Sequence, residues 1–156
     1  MGAEGFIRIG TSVSVDKSAK KRDIFIATSA VRDDWTSKQY IPIEFPSIAS
    51  HNVVSDLITA SKNLNIDSKV GICQSKDSFF GETEPERMPV APYLDFKWKS
   101  WQEGGVGASE MEAATLFTLS QIKRIEADAI LAIEASDNDT KKKRTEKDIT
   151  KKSYTL

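Results

Sequence analysis

Two hydrophobic periodicities alternate along the chain. Short runs of apolar and β-branched residues predict four strands, at Phe6–Gly10, Ile24–Val31, Lys69–Ser75 and Ala127–Ala135. Apolar residues spaced three and four positions apart predict three helices, at Ser47–Leu64, Tyr93–Gln102 and Ser109–Ile125. Strands that alternate with helices indicate a layered α/β domain.

The boundaries of these elements carry their own signals. Ser47 or Ser50 can cap the first helix, and Gly104 stops the second. Ser109 followed three residues later by Glu112 has the spacing of a capping box. Two long loops, Arg32–Pro46 and Lys76–Pro92, separate the elements and together contain all five prolines and five of the thirteen aromatic residues.

The chain has 156 residues, 39% of them apolar, which suits a single domain with a sizeable core. We expect that domain to span 1–135. Apolar residues almost vanish over 136–156, where lysines dominate, so we expect a charged, disordered tail. A solvated chain end explains such a tail, and an arm that binds a partner is the alternative.

Charge and cysteine content narrow the classes of function. The formal net charge of −1 lacks the basic footprint of a dedicated nucleic-acid or anionic-membrane binder. A single cysteine, Cys73, allows neither an intramolecular disulfide nor a zinc site of several thiolates, and we predict no metal site. Ala127–Ala135 is too short to span a bilayer, and the N-terminus lacks a signal-peptide pattern. We therefore expect a cytoplasmic protein.

Several polar residues have both a structural and a chemical interpretation. His51 is expected to be a surface or capping residue and Cys73 a core residue. Arg8, inside an apolar strand, is either an edge-strand charge that faces water or an anion ligand at a strand end. Glu110 and Glu112 either complement the helix dipole, or one of them binds a diol with Met111 against an apolar ring.

Taken together, seven segments occur in the order found in one enzyme family. They are Phe6–Thr11, Ala30–Asp33, Thr36–Pro42, Glu44–Pro46, Gln74–Phe79, Pro85–Pro89 and Ser109–Ala114. From about Gly5 to Ala135 the chain resembles the uridine phosphorylase branch of the nucleoside phosphorylases. The resemblance implies an α/β three-layer sandwich with a mixed central sheet.

The resemblance also implies a reaction. Enzymes of this family cleave an N-glycosidic bond with inorganic phosphate, which yields pentose 1-phosphate and a free base. By resemblance Arg8 and Thr11 bind phosphate, and Glu112 and Met111 bind ribose. Nucleoside and phosphate are the expected partners. No cofactor is implied beyond phosphate as co-substrate, and a homo-oligomer is typical of the family.

The base is expected at a third group of residues. By resemblance Phe79 forms the aromatic wall, Arg87 lies near the pyrimidine carbonyl, and Glu82 stands where the family has a glutamine. An ionised carboxylate at that position only accepts hydrogen bonds and would oppose an anionic leaving base.

Three departures from the family pattern bear on activity. The chain begins at the strand that follows the family's glycine-rich phosphate loop, so we expect a truncated chain. Val13 and Trp35 replace glycines, which would strain the backbone if those positions have positive φ. The family's final helix is replaced by the lysine-rich tail.

These departures leave alternatives open. The chain could be a catalytically inactive remnant that at most binds a nucleoside weakly, or an enzyme that uses water instead of phosphate. Ser136-Asp137 is similar to the Ser-Asp pair of the purine-cleaving branch, which keeps a purine nucleoside phosphorylase or nucleosidase as a further alternative.

Overall fold

A computed structural model describes residues 2–136. Its strands are β1 (Gly5–Ser14), β2 (Ile24–Asp33), β3 (Ser47–Ile48), β4 (Ser68–Lys76), β5 (Ala108–Glu110) and β6 (Glu126–Ser136). Its α-helices are α1 (His51–Asn63), α2 (Phe79–Thr83), α3 (Ala91–Glu103) and α4 (Ala113–Lys123). Short 3₁₀ turns lie at Ser37–Gln39 and Pro85–Arg87. The expected tail at 136–156 lies almost wholly outside the described residues.

The six strands form one mixed sheet that closes on itself. Their order is β3-β2-β4-β5-β1-β6, and β6 also pairs with β2. The β1–β6, β2–β4 and β4–β5 pairs are parallel, whereas β1–β5 and β2–β6 are antiparallel. The predicted α/β class with a mixed central sheet is confirmed. We call the five strands β2, β4, β5, β1 and β6 the closed ring.

The core lies between this ring and helix α4. On β6, Ala127, Ala129, Leu131 and Ile133 are buried, which is the alternation expected of a strand with one face in a core. Helix α4 presents Ala113, Ala114 and Phe117 to the same core, all completely buried. The two alanines let the helix backbone approach the sheet closely, and this approach positions the segment just before α4.

Two of the predicted helices begin later than the sequence pattern indicates. Ser47 belongs to β3, and its hydroxyl donates to the carbonyl of Ala114 instead of capping a helix. Ser50 does occupy the N-cap position of α1, but its hydroxyl accepts a hydrogen bond from Ala127 N. Ser109 lies in β5, so the predicted capping box with Glu112 is wrong.

The long loop after β2 is held by one buried arginine. Arg32 donates from Nη1 to the carbonyls of Pro42 and Phe45, both at 2.6 Å, and from Nη2 to the carbonyls of Ser37 and Ile41, both at 3.0 Å. Nε donates to Ser37 Oγ. Asp34 anchors the same loop to α4, because it accepts hydrogen bonds from Ser37 and from Thr115 Oγ1.

The residues that replace the family's glycines are not strained. Among the described non-glycine residues, positive φ occurs at Arg22, Asn65 and Arg124. Val13 and Trp35 therefore lie in ordinary regions of backbone conformation, and the expectation of strain there is not met. The other two local predictions are confirmed, because Cys73 is fully buried and His51 is exposed at the start of α1.

Candidate functional site

A cavity of about 570 Å³ opens where β1, β4, α2 and the β5–α4 connection meet. Five of the seven predicted site residues line it: Arg8, Thr11, Phe79, Met111 and Glu112. They come from parts of the chain more than 100 residues apart, so the fold brings them together. We call this space the main cavity.

At Arg8 strand β1 pairs with β6, and β5 joins its other side only at the last two residues of β1, so Arg8 does have an edge position. Its side chain does not face water, because it is only 20% exposed and is paired with carboxylates. The Nε atom of Arg8 lies 3.4 Å from Glu110 Oε2, and the Nη2 atom forms an ion pair with Glu112. Its Nη1 is buried without a hydrogen-bond partner among the described residues. The guanidinium lies across Gly10, where an added Cβ would be 2.2 Å from Nη1, so a larger residue there would require the guanidinium to shift. Arg8 is therefore held by two carboxylates at the wall of the main cavity, and one of its buried donor groups is left unsatisfied by the described part of the chain.

Glu110 holds the start of α4, which agrees with the structural interpretation of this acidic pair. Its carboxylate accepts hydrogen bonds from the backbone N–H of Glu112 at 2.9 Å and of Ala113 at 3.0 Å, and from the hydroxyl of Ser75. Its side chain is fully buried, whereas that of Glu112 is 59% exposed. Each of the two interpretations of this acidic pair therefore applies to one of the two glutamates. Glu110 stabilises the helix terminus, and Glu112 faces the main cavity.

Glu82 lies outside the main cavity. It is buried, its Oε2 is 2.5 Å from Lys76 Nζ, and it accepts a hydrogen bond from Ser109 Oγ at 2.5 Å. It lines a second, smaller cavity of about 180 Å³ against α3. The negative charge that the sequence places against the leaving base is therefore compensated by a buried ammonium group.

Arg87 is also outside the lining of the main cavity. Its side chain is 63% exposed, and Nη1 donates to Glu84 Oε2 at 2.5 Å. The hydrogen bond and charge of Glu84 raise the pKa of Arg87. Neither Glu82 nor Arg87 lines the main cavity, and their roles toward a base stay predictions.

Lys76 and Ser109 are lining residues that sequence reasoning missed. Lys76 Nζ donates to Ser109 Oγ at 2.8 Å, and both residues line the main cavity. The network continues through Gln74 and Asp33 to Lys97 on α3. Its signal in the sequence is the polar run Gln74-Ser75-Lys76 at the end of an otherwise apolar strand. Polar residues at strand ends commonly face ligands in α/β folds.

Residues 2–136 lack the features of two other classes of site. They contain no cluster of three or more His, Cys, Asp or Glu side chains arranged to hold a metal ion. None of the helices in this range is both long enough and apolar enough to cross a membrane.

Comparison with known proteins connects the cavity with one family. The sequence profile of the phosphorylase superfamily matches residues 1–155. The chain is 38% identical to a uridine phosphorylase of Treponema pallidum over 133 residues, which are 85% of this chain and 52% of that protein. It is 35% identical to a uridine phosphorylase of Thermococcus kodakarensis and 29% identical to a guanosine phosphorylase of Halorubrum lacusprofundi.

A solved structure supports the same assignment. The P. knowlesi homologue of P. falciparum PNP superposes with a TM-score of 0.75 at 26% identity, over 86% of this chain and 52% of that one. The chain spans about half the length of the curated relatives that it matches.

Proposed function

The chain belongs to the phosphorylase superfamily, and from this premise we propose that its main cavity transfers a pentosyl group from a nucleoside to inorganic phosphate. One observation carries the proposal. Residues suited to phosphate, to a diol and to an aromatic base line a single cavity, although they come from three separate segments of the chain. Uridine is the proposed substrate, because uridine phosphorylases are among the most similar relatives.

The proposed chemistry follows from these residue types. A phosphate oxygen attacks C1′ of the sugar while the C1′–N bond breaks, and the bonding electron pair stays on the base. Arg8 and the Thr11 hydroxyl hold the phosphate, because a guanidinium binds phosphate through charge-assisted hydrogen bonds. The Glu112 carboxylate accepts hydrogen bonds from the ribose diol, and Met111 and Phe79 pack against the substrate. Catalysis then consists of positioning and electrostatic stabilisation.

The direct test incubates the purified chain with uridine, with and without inorganic phosphate, and measures release of uracil and ribose 1-phosphate. Release that depends on phosphate supports the proposal. Release at the same rate without phosphate indicates a nucleosidase, and no release in either case favours a non-catalytic chain. A cytoplasmic location and a homo-oligomeric assembly stay predictions.

A purine nucleoside is the second candidate substrate. The guanosine phosphorylase of Halorubrum lacusprofundi and the P. knowlesi PNP homologue favour it. The structure adds a reason, because neither Glu82 nor Arg87 lines the main cavity as a pyrimidine reader would. Guanosine and inosine in the same assay, each compared with uridine by kcat/KM, distinguish the two substrate classes.

Replacing Arg8 by alanine is expected to lower phosphate affinity about 10- to 100-fold, the range for losing hydrogen bonds to a charged group. The fold should survive, because Glu110 keeps its bonds from Ser75 and from two backbone N–H groups. Phosphate titration by calorimetry and the thermal midpoint give the two readouts. Lys62→Ala on α1 removes an exposed positive charge that does not line the cavity and serves as the control. A collapse of the midpoint in Arg8→Ala would show a structural role instead.

Replacing Glu112 by glutamine is expected to raise phosphate affinity about two- to five-fold. In the unliganded protein the Glu112 carboxylate occupies Nη2 of Arg8, and partly exposed ion pairs contribute at most about 1 kcal/mol. The same change should weaken nucleoside binding, since an uncharged amide is a poorer acceptor for a diol. Separate titrations with phosphate and with nucleoside measure both effects. Phosphate affinity that falls together with nucleoside affinity would contradict this competition.

A further inference from the structure

The proposed reaction needs positive charge in two places. Phosphate arrives as an anion, and the base departs with the electron pair of the broken C1′–N bond. Arg8 is placed to bind phosphate. The sequence assigned the base to Arg87, but Arg87 is exposed, is paired with Glu84 and does not line the main cavity.

Lys76 is the second cationic side chain that lines the main cavity. It is the last residue of β4 and is buried, with its side chain 10% exposed. Phe79, the expected wall for the base, follows three residues later and lines the same cavity. Lys76 therefore brings a buried positive charge to the part of the cavity where the base is expected, and such a charge acts strongly because little water screens it.

The ammonium group of Lys76 is held in place. Its Nζ lies 2.5 Å from Glu82 Oε2 and 2.8 Å from Ser109 Oγ. An ammonium has three N–H donors, so these two partners fix its position and leave a third donor for a ligand. The carboxylate of Glu82 also compensates the positive charge of Lys76 in this buried position.

We propose that Lys76 is the residue that stabilises the departing base, through a hydrogen bond from its ammonium to an acceptor atom of the base, and that Glu82 is its positioning residue. The inference rests on the proposed function. In this step the C1′–N bond breaks, the electron pair remains on the base, a phosphate oxygen bonds to C1′, and Lys76 keeps its proton. Glu82 thus supports the reaction through Lys76 instead of opposing it.

The test compares two leaving groups. Fluorine at position 5 makes 5-fluorouracil a better anion than uracil, so cleavage of 5-fluorouridine depends less on help from a cation. Lys76→Met should lower kcat/KM for uridine about 100-fold, the usual cost of removing one donor to a developing anion. The loss for 5-fluorouridine should be about ten-fold smaller. A merely structural role would lower both rates by the same factor.

Two further variants separate catalysis from folding. Lys76→Met alone leaves Glu82 buried without its cation, so the double variant Lys76→Met/Glu82→Gln removes both charges together. The double variant should regain most of the wild-type thermal unfolding midpoint, but its kcat/KM for uridine should stay as low as in Lys76→Met. Lys97→Met is the matched control, because Lys97 is paired with Asp33 in the same network but lines the smaller cavity. Lys97→Met should change kcat/KM for uridine and kcat/KM for 5-fluorouridine by equal factors.

Binding of the free base tests the role of Lys76 even if the protein cleaves no nucleoside. Wild-type protein should bind 5-fluorouracil more tightly at mildly alkaline than at neutral pH, as the anion becomes abundant, and the double variant should lose this gain. Fluorine NMR titration measures both. Equal losses for the two nucleosides in Lys76→Met, or equal binding by wild type and double variant, would overturn the role of Lys76. If wild type cleaves no nucleoside, the proposed function fails, and the titration alone decides whether Lys76 binds an anionic base.

Discussion

Replacing Arg32 by methionine is expected to lower the free energy of unfolding by about 4 kcal/mol. The guanidinium donates five hydrogen bonds, four of them to backbone carbonyls of the loop that contains Ser37–Phe45. Methionine fills much of the volume but leaves those acceptors without donors, and each unsatisfied buried group costs about 1–3 kcal/mol before water enters. Arg32→Lys should recover little, because a compact ammonium cannot span the same fork of acceptors.

Urea denaturation followed by circular dichroism measures this effect. Arg87→Met is the matched control, since Arg87 is exposed and should leave the denaturation midpoint unchanged. The loop also reaches α4 through Asp34 and Thr115, so phosphate and nucleoside affinities should fall together in Arg32→Met. Full stability of Arg32→Lys would show that charge alone holds the loop.

Replacing Asp128 by asparagine is expected to raise the free energy of unfolding by up to about 3 kcal/mol above pH 6. Asp128 is fully buried in β6, and burial raises its pKa from the usual 3.8 to about 6, although Ala129 N donates to it. A pKa raised by folding means that the native state favours the protonated form. The two-unit rise corresponds to about 3 kcal/mol.

The stability gain of Asp128→Asn over the wild type is expected to depend on pH, and this dependence can be measured. In the wild type the Asp128 contribution is fully present below about pH 4 and is lost as the pH rises through 6. Asparagine does not titrate, so its advantage should be largest at neutral pH and should vanish near pH 4. Asp56→Asn, at an exposed position of α1, is the control. An advantage of equal size at both pH values would point to packing and not to ionisation.

The strands that sequence reasoning missed are those too short to show a period. Runs of apolar and β-branched residues predicted β1, β2, β4 and β6, each of which has nine or more residues. β3 has two residues and β5 has three, and each was absorbed into the helix that follows it. Their strand geometry comes from pairing with partners distant in sequence, which local propensity does not encode.

The candidate site was predictable as a set of residues but not as a set of contacts. The family resemblance identified Arg8, Thr11, Phe79, Met111 and Glu112, and all five line the main cavity. It did not reveal that Arg8 pairs with Glu112 or that Lys76 neutralises Glu82, since both pairs join residues on different elements. The capping box failed for a related reason. Glu110 reaches the first N–H groups of α4 from the end of a strand.

The closed ring divides the walls of the main cavity into two kinds. Arg8, Thr11, Lys76 and Ser109 project from strands of the ring. Another wall, with Phe79, comes from the segment 79–86, which contributes no strand to the ring. Substitutions or insertions in that segment disturb no strand register, whereas a slip in the ring would turn every side chain of a strand to its other face. Natural selection can therefore alter this wall of the cavity while the side chains that project from the ring keep their positions.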